Sequence, residues 1–549
     1  MASNNPQKEY YNRNMKDITM EMVKDAEVGD YVGDKNMQKK RARFKEILTE
    51  HAMMATVHGV AHIIVAKQTY KKILWITLWL LTVGALCYQI FKLSSLFLSR
   101  PKQTSLDLKF GALHFPAVSF CNINPLKKMQ LDELSIPLKF FMTLSEVELK
   151  EKSKRDQPII MDKNNPEFPF LRKFEKYGIA KEEWDLAKNI PDNHFQVRNM
   201  LVSDLIQKMD ASELLRVGHS LDDMLLHCSF NSRRCNSSDF AHFKSGRFGN
   251  CYTLQSDRFV STVPGPSHGL TLMLNLDSHE YVSPYSSGHG LKLVVHEPGT
   301  YPFIEEQGVT LAPDWTFISL KQKKINRLGH PHGNCEKHLE YKSKYGITYT
   351  RMACEQICLI TLTEDICDCT TGFVSIDKSI VTNSTSTCSS VNEVCSLLVL
   401  KAQLKGDLHC PCTNPCSETH FSTTVSSLRW PHEEYMTNEL VNLMCQEEIQ
   451  AMKIKNVTGH DCIEIMNGTT NGSINTERLV DNFLKLDLYF EELSYEHVGE
   501  VPAYDSVQFL SDIGGTVGLF VGASVLSGVE LIQILVDCIR YFMFRIMNK

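Results

Sequence analysis

The sequence predicts an α+β membrane protein, with two transmembrane helices flanking a large extracellular domain that has a disulfide-rich β-core and peripheral helices. Three observations carry this. Two long apolar segments lie toward the two ends of the 549 residues. Sixteen of the eighteen cysteines fall between those segments. Lys and Arg gather on the outer flank of each. The mean hydropathy of −0.19 excludes a polytopic transporter, which would carry many apolar runs. A net charge of −6 excludes bulk nucleic-acid binding. With 43% apolar residues the chain is neither disordered nor collagen-like.

Residues 1–70 read as a polar cytosolic tail, whose last part, Ile47 to Ala66, is a semi-apolar helix leading into the membrane. Residues 71–96 form the first span. Its centre, Ile73 to Phe91, holds no Asp, Glu, Lys or Arg and is long enough for a hydrocarbon core of about 30 Å. The polar residues ahead of it exclude a cleaved signal peptide. Residues 506–540 form the second span and 541–549 a short tail. Lys67, Lys71 and Lys72 precede the first span, and Arg540, Arg545 and Lys549 follow the second. Positive charge on both outer flanks places both termini in the cytosol. Residues 97–505 then lie outside the cell, with N-x-Ser/Thr sequons at Asn236, Asn383, Asn456, Asn467 and Asn471.

Within the extracellular segment, Phe115–Asn124 (FPAVSFCNIN) reads as a strand from its aromatic and β-branched content. Leu484, Leu486, Leu488 and Phe490 alternate with Lys485, Asp487 and Tyr489, a second strand. Both lie near a span in sequence, so one sheet close to the membrane is expected to hold them. Cys354 and Cys358 share a helix face and Cys410 and Cys412 a strand face, so the two faces are suited to parallel bridges. Cys367-x-Cys369 is placed to meet Cys388 and Cys395. Zinc is the competing use of paired cysteines, and spacing alone does not fix the pairing.

The carboxylates of the second span point to function, because a charge in the membrane costs at least ~2.5 kcal/mol. Eighteen residues, about five turns, separate Asp512 from Glu530, and seven more reach Asp537, about 20° off that line. If the helix is continuous, all three share one face, with Asp512 and Glu530 about 27 Å apart. Carboxylates at both mouths of a polar stripe suit a cation pathway, and one span per chain requires several copies to enclose it. Midway lies Gly522-Ala523-Ser524, where a local break would free carbonyls to coordinate an ion.

His58-Gly59, FPAVSFCNIN, NPCSET (Asn414–Thr419) and DIGGTVGLFVGASVLSGVEL (Asp512–Leu531) together resemble the degenerin/epithelial sodium channel family, and most closely its acid-sensing branch. The resemblance covers roughly residues 45–540. It implies a homotrimeric, amiloride-sensitive, sodium-preferring channel of the plasma membrane, not an enzyme. Its ectodomain would be a β-rich palm bearing finger, thumb, knuckle and β-ball. It further implies that His58 and Gly59 act in gating, that Gly522, Ala523 and Ser524 form the selectivity filter, and that Asp512 is the outer-mouth acid. Ser511 matches the position where bulky side chains hold such channels open. By the same resemblance the disulfides are Cys121–Cys251, Cys228–Cys235, Cys335–Cys416, Cys354–Cys412, Cys358–Cys410, Cys367–Cys395 and Cys369–Cys388. Cys445 and Cys462 are left to pair with each other.

The departures bear on gating. The finger segment Tyr281–Gly290 has no acid, and the matching thumb positions are Leu397 and Lys401, so the acidic pocket is expected to be missing and proton gating weak or absent. His332 replaces a coupling Trp, and Gln533 replaces an inner Asp, which is expected to loosen cation selectivity. Amphiphiles such as bile acids are the activators the resemblance implies. Sodium is the expected permeant ion, Asp512 the expected site of calcium block, and no cofactor is expected. The alternatives are a proton-gated sodium channel and a two-span scavenger or lipid-uptake receptor. The latter needs no polar stripe in its second span. An ATP-gated channel would carry a lysine-rich site, and an ectoenzyme an HExxH, GxSxG or P-loop motif, none of which is present.

Overall fold

A computed structural model describes residues 59–145, 194–255, 258–370, 391–432 and 481–547, with short pieces at 148, 171–176, 374–377, 380–381, 388, 435, 440, 444–445 and 462–463. The chain divides into two compact units, residues 1–98 with 505–549, and residues 99–504.

In chain order the elements run α1 (Val60–Val65), α2 (Thr69–Leu98), β1 (Lys102–Phe110), β2 (Leu113–His114), β3 (Ala117–Asn122), α3 (Ile136–Thr143), α4 (His194–Lys208) and α5 (Ala211–Val217). There follow β4 (Leu225–Phe230), β5 (Arg233–Arg234), β6 (Phe240–Ser245), β7 (Gly249–Leu254), β8 (Val260–Ser261), β9 (Leu270–Asn275), β10 (Leu291–His296), β11 (Val309–Leu311) and β12 (Trp315–Asn326). The remainder is α6 (Arg351–Cys367), α7 (Val391–Lys405), β13 (Ser417–Leu428), β14 (Phe483–Pro502), α8 (Ser506–Val521) and α9 (Val525–Met547).

The larger unit is built on β14. Leu484, Leu486, Leu488 and Phe490 are all but fully buried, as the period of two predicts. Their row lies beside Leu270, Leu272 and Leu274 of β9 and Ile318 of β12 on one face of the sheet, in the main core. The opposite face is mixed: Phe483 clusters with Leu226 and Trp430, and the buried acid beyond it is satisfied. Asp487 accepts hydrogen bonds from Thr271 Oγ1 and Trp315 Nε1, both at 2.6 Å, and the Lys485 Nζ lies 3.5 Å from the centre of the Trp315 ring. The sheet order is β13-β12-β14-β9-β4-β5, with β12 and β14 parallel, and β1 pairs along the far half of β14.

The expected single sheet is not what forms. β3, the core of Phe115–Asn124, lies in a second sheet of order β11-β10-β3-β7-β6. All six of its residues are buried, so it needs a strand on each edge and cover on both faces. The partner of β14 after the first span is β1, whose Leu106, Leu108 and Phe110 alternate with Asp107 and Lys109. At nine residues β1 is longer than β3, and its period of two is a strand signal in its own right.

Eight disulfides join Cys121–Cys251, Cys228–Cys235, Cys335–Cys416, Cys354–Cys412, Cys358–Cys410, Cys367–Cys395, Cys369–Cys388 and Cys445–Cys462. Cys121 and Cys251 stand directly opposite one another on β3 and β7, with Cα atoms 4.4 Å apart. Cys354, Cys358 and Cys367 all project from α6, which Thr350 caps by accepting from the Ala353 N–H at 3.1 Å. Cys410 and Cys412 lie on an irregular segment and not on a strand. Cys87 and Cys538 are free.

At the β12–β13 edge, Glu418 pairs with Arg327 and, at 3.2 Å, with His420. The hydrogen bond to Glu418 raises the His420 pKa above 6.5. Burial pushes the Glu418 carboxyl up, but the bonds and charges of His420 and Arg327 outweigh it and hold the group below 4.5. The His420 contribution to stability is therefore present below 6.5 and lost as pH rises through its raised pKa. That of Glu418 is present above 4.5 and lost as pH falls through its lowered pKa.

Two predictions follow from these contacts. Leu486→Ala should cost about 2–5 kcal/mol by leaving a cavity, whereas Leu404→Ala, at a site 79% exposed, should stay within about 0.5 kcal/mol. Thermal unfolding of the purified full-length protein reads both. The same measurement across pH should show stability falling from mildly acidic to alkaline conditions, and His420→Gln should flatten that fall.

Candidate functional site: an interrupted helix

α2 is the one helix among the described residues long and apolar enough to cross a membrane by length and composition. The expected second span is two helices. α8 is a shorter apolar helix capped by Asp505, which accepts from the Gln508 N–H at 2.7 Å. It stops at Val521. Gly522 then adopts a left-handed conformation, with φ 69° and ψ 16°, and α9 begins at Val525. A left-handed residue is the ordinary way to end a helix, and glycine enters that region without a Cβ penalty.

The break spans the tripeptide Gly522-Ala523-Ser524. The last rung of α8 is Gly522 N–H to Gly518 O at 3.0 Å, and the next is Gly528 N–H to Ser524 O at 3.3 Å. Between these rungs the carbonyls of Leu519 and Phe520 receive no i+4 backbone hydrogen bond among the described residues. The Ser524 N–H donates to Ser527 Oγ at 3.0 Å, so a side chain from the first turn of α9 fixes the restart. Gly522 and Ala523 are half-buried, Ser524 is exposed and Ser527 is buried.

This corrects the single-helix geometry. Asp512 stands on α8 and Glu530 and Asp537 on α9, so counting turns through the break does not place them on one face. Asp512 accepts from Gln508 Nε2 at 2.9 Å, and its carbonyl accepts from Thr516 Oγ1, so the acid is held on its own helix. Ser511 is exposed, Glu530 half-buried and Gln533 exposed. Phe97 of α2 stacks on Phe509 of α8 with ring centres 4.4 Å apart.

Gly59 has φ 91° and starts α1. A Cβ there would be strained and would meet Trp79 of α2 at 3.2 Å, and His62 stacks on Trp75 with ring centres 4.6 Å apart. His58, Asn383, Asn456, Asn467 and Asn471 lie outside the described residues, as does most of the N-terminal tail. Asn236 is exposed in a tight turn, its N–H donating to Asp239.

The segment Tyr281–Gly290 is anchored by the two asparagines of FPAVSFCNIN. The Tyr281 hydroxyl donates to Asn122 Oδ1, and Asn124 Oδ1 accepts from the Val282 N–H and the Ser286 hydroxyl. Leu397 and Lys401 lie on α7, and His332 is half-buried in a turn with Gly329.

Sequence reasoning missed a charged cluster beside that segment. Lys127 lies 2.7 Å from Asp223 and 4.0 Å from Asp277, while His279 lies 3.5 Å from Asp277 and 3.7 Å from Glu280. Burial raises the Asp277 pKa against the lowering charges of His279 and Lys127. Burial and then Lys127 push the nearby His219 down to about 3. These residues come from three distant stretches, so no local pattern announces them.

An apolar helix interrupted at Gly522-Ala523-Ser524, in a chain that also carries a disulfide-stitched β-rich unit, fits a membrane channel subunit as the class of protein. The chain matches the family described as amiloride-sensitive sodium channel over residues 52–534 and belongs to it. Acid-sensing ion channel 1A of Danio rerio is 26% identical over 520 residues, 91% of this chain and 89% of that one. The alpha subunit of the epithelial sodium channel of Homo sapiens is 24% identical, over 92% of this chain and 80% of its own. The FMRFamide-activated amiloride-sensitive sodium channel of Cornu aspersum is also 24% identical, over 89% and 83%. The relatives are ion channels and not enzymes.

If the break is what matters at this site, Gly522→Ala should be costly there. An L-residue held in the left-handed region is strained by about 1–2 kcal/mol, and relief by continuing the helix would return carbonyls to the ladder. Patch recordings should show lower unitary conductance and an altered sodium-to-potassium permeability ratio, with surface labelling retained.

Proposed function

We propose that this chain is a sodium-preferring cation channel of the plasma membrane, gated by a small amphiphile such as a bile acid, with weak or no proton gating. Three copies assemble around an axis through the second spans, with both termini cytosolic. The observation that carries the reading is the helix break at Gly522–Ser524 in a chain of this family. Carbonyls outside a helical ladder are tolerated at membrane depth only where they line a water-filled path, and there they can replace part of an ion's hydration shell.

In this reading Asp512 concentrates cations at the outer mouth, the Gly522–Ser524 belt discriminates among them, and Glu530 and Asp537 attract them at the inner mouth. Sodium is the permeant ion and amiloride an inhibitor. Calcium blocks where three Asp512 carboxylates converge, since hard cations prefer oxygen ligands. Ser511, next to that ring, and His58-Gly59, ahead of the first span, set the open probability. Proton gating is the second reading, and one observation favours it: half-buried Asp277, with its raised pKa, sits among His279, Glu280 and Lys127.

Expression in oocytes tests the proposal by recording at neutral pH, in acid and with a bile acid, each with and without amiloride. The expected result is an amiloride-sensitive sodium current raised by bile acid and not by acid. A large acid-evoked current would replace amphiphile gating by the second reading, and surface protein without current under any condition would sink the channel assignment. Asp512→Asn should weaken external calcium block by about tenfold, in keeping with the loss of an ionised ligand; unchanged block would remove Asp512 from the site.

A further inference from the structure

A cavity of about 500 Å³ opens in the larger unit between the end of β10, the start of α6 and the first half of β13. Its size falls in the range of small-molecule sites, about 300–1,000 Å³. Val295, Val309, Met352 and Phe421 give it an apolar wall. Facing that wall are three carboxylates, from Glu297, Glu355 and Glu418.

The three differ in how their charge is met. Glu355 pairs with Arg351 at 2.8 Å. Glu418 is shared by Arg327 and His420. Glu297 is held only by neutral donors among the described residues. Its Oε2 accepts from the Thr419 N–H at 3.1 Å and its Oε1 from the Thr419 hydroxyl at 3.0 Å. These two bonds fix the carboxylate without neutralising it, and each oxygen keeps a free lone pair. Its charge is felt by His420 across the cavity, but no cation bonds it directly among the described residues, and a fixed carboxylate of this kind beside an apolar wall is a receptor for one positive charge carried on an apolar body. An inorganic ion is a poorer fit, since no cluster of three or more metal-ligating side chains occurs among the described residues. An anion would meet three carboxylates, with Arg351 and His420 in the same lining already paired to Glu355 and Glu418.

We propose that this cavity binds a small organic monocation of the arylalkylamine class, its ammonium anchored by Glu297 and its body lying on Val295, Val309, Met352 and Phe421. The site is independent of the permeation path, and binding, not current, is its readout.

The test titrates the detergent-solubilised full-length protein with 4-phenylbutylamine, and with 4-phenylbutanol and 4-phenylbutanoate as the neutral and anionic counterparts, followed by saturation-transfer NMR. The amine should bind about tenfold or more tighter than the alcohol, as a charge-assisted bond supplies, and the carboxylate not at all. Glu297→Gln, which keeps an acceptor for Thr419, should erase the preference for the amine and leave the alcohol unmoved. Thr423→Trp, which puts an indole into the cavity from β13, should abolish both and decides the matter should Glu297→Gln fail to fold. Asp512→Asn should change nothing. Equal binding of amine and alcohol, a preference surviving Glu297→Gln, binding surviving Thr423→Trp, or a preference lost with Asp512→Asn would each overturn the site.

Discussion

The buried row Leu484, Leu486, Leu488 and Phe490 is the constraint from which the larger unit follows. A strand of twenty residues cannot stand alone, because its backbone donors and acceptors need partners along its whole length. β12 meets that need on one edge in parallel, and β9 and then β1 meet it on the other. The apolar row then draws the inner faces of β9 and β12 into one core. A slip of one residue would turn Lys485, Asp487 and Tyr489 inward, so the register is strongly fixed. The opposite face adds its own check, since Asp487 must find both Thr271 and Trp315.

Disulfides do for the helical part what alternation does for the sheet. α6 and α7 enclose a separate core in which Cys367, Cys369, Cys388 and Cys395 are themselves among the buried residues. Four bridges leave α6 or the residue pair just beyond it, two to Cys410 and Cys412 and two to Cys388 and Cys395. Cross-links of this density restrict the unfolded chain and suit a small helical core that lacks the area to hold itself together.

What was legible in the sequence tracks how local the signal is. The β14 alternation, the charge-free stretch inside α2 and the i,i+4 cysteines of α6 are properties of a few neighbouring residues, and each was readable. The sheet to which β3 belongs was not, because complete burial of Ala117–Asn122 removes the alternation that would assign a face. The Lys127–Asp223–Asp277–Glu280 cluster and the cavity around Glu297 were invisible for a different reason. They assemble from segments separated by up to a hundred residues or more, and nothing in any one segment departs from ordinary surface composition. At the interrupted helix the tripeptide was visible and its consequence was not. Counting turns assumes a ladder, and the left-handed Gly522 removes it.

That interruption has a cost that bears on assembly. Among the described residues the carbonyls of Leu519 and Phe520 are outside the ladder, and in hydrocarbon each unpaired polar group costs several kcal/mol. The same stretch of chain is apolar and exposed, with Leu510 at 72% and Leu519 at 82%. A lone copy in a bilayer would satisfy one requirement and violate the other: lipid would cover the leucines and strand the carbonyls. The conflict disappears if copies gather so that the carbonyls turn toward shared water and the leucines toward lipid or neighbouring helices. In the channel reading, the helix break and the need for several subunits are then one physical requirement, because the polar backbone that could recognise an ion is tolerable only when other copies exclude the lipid from it.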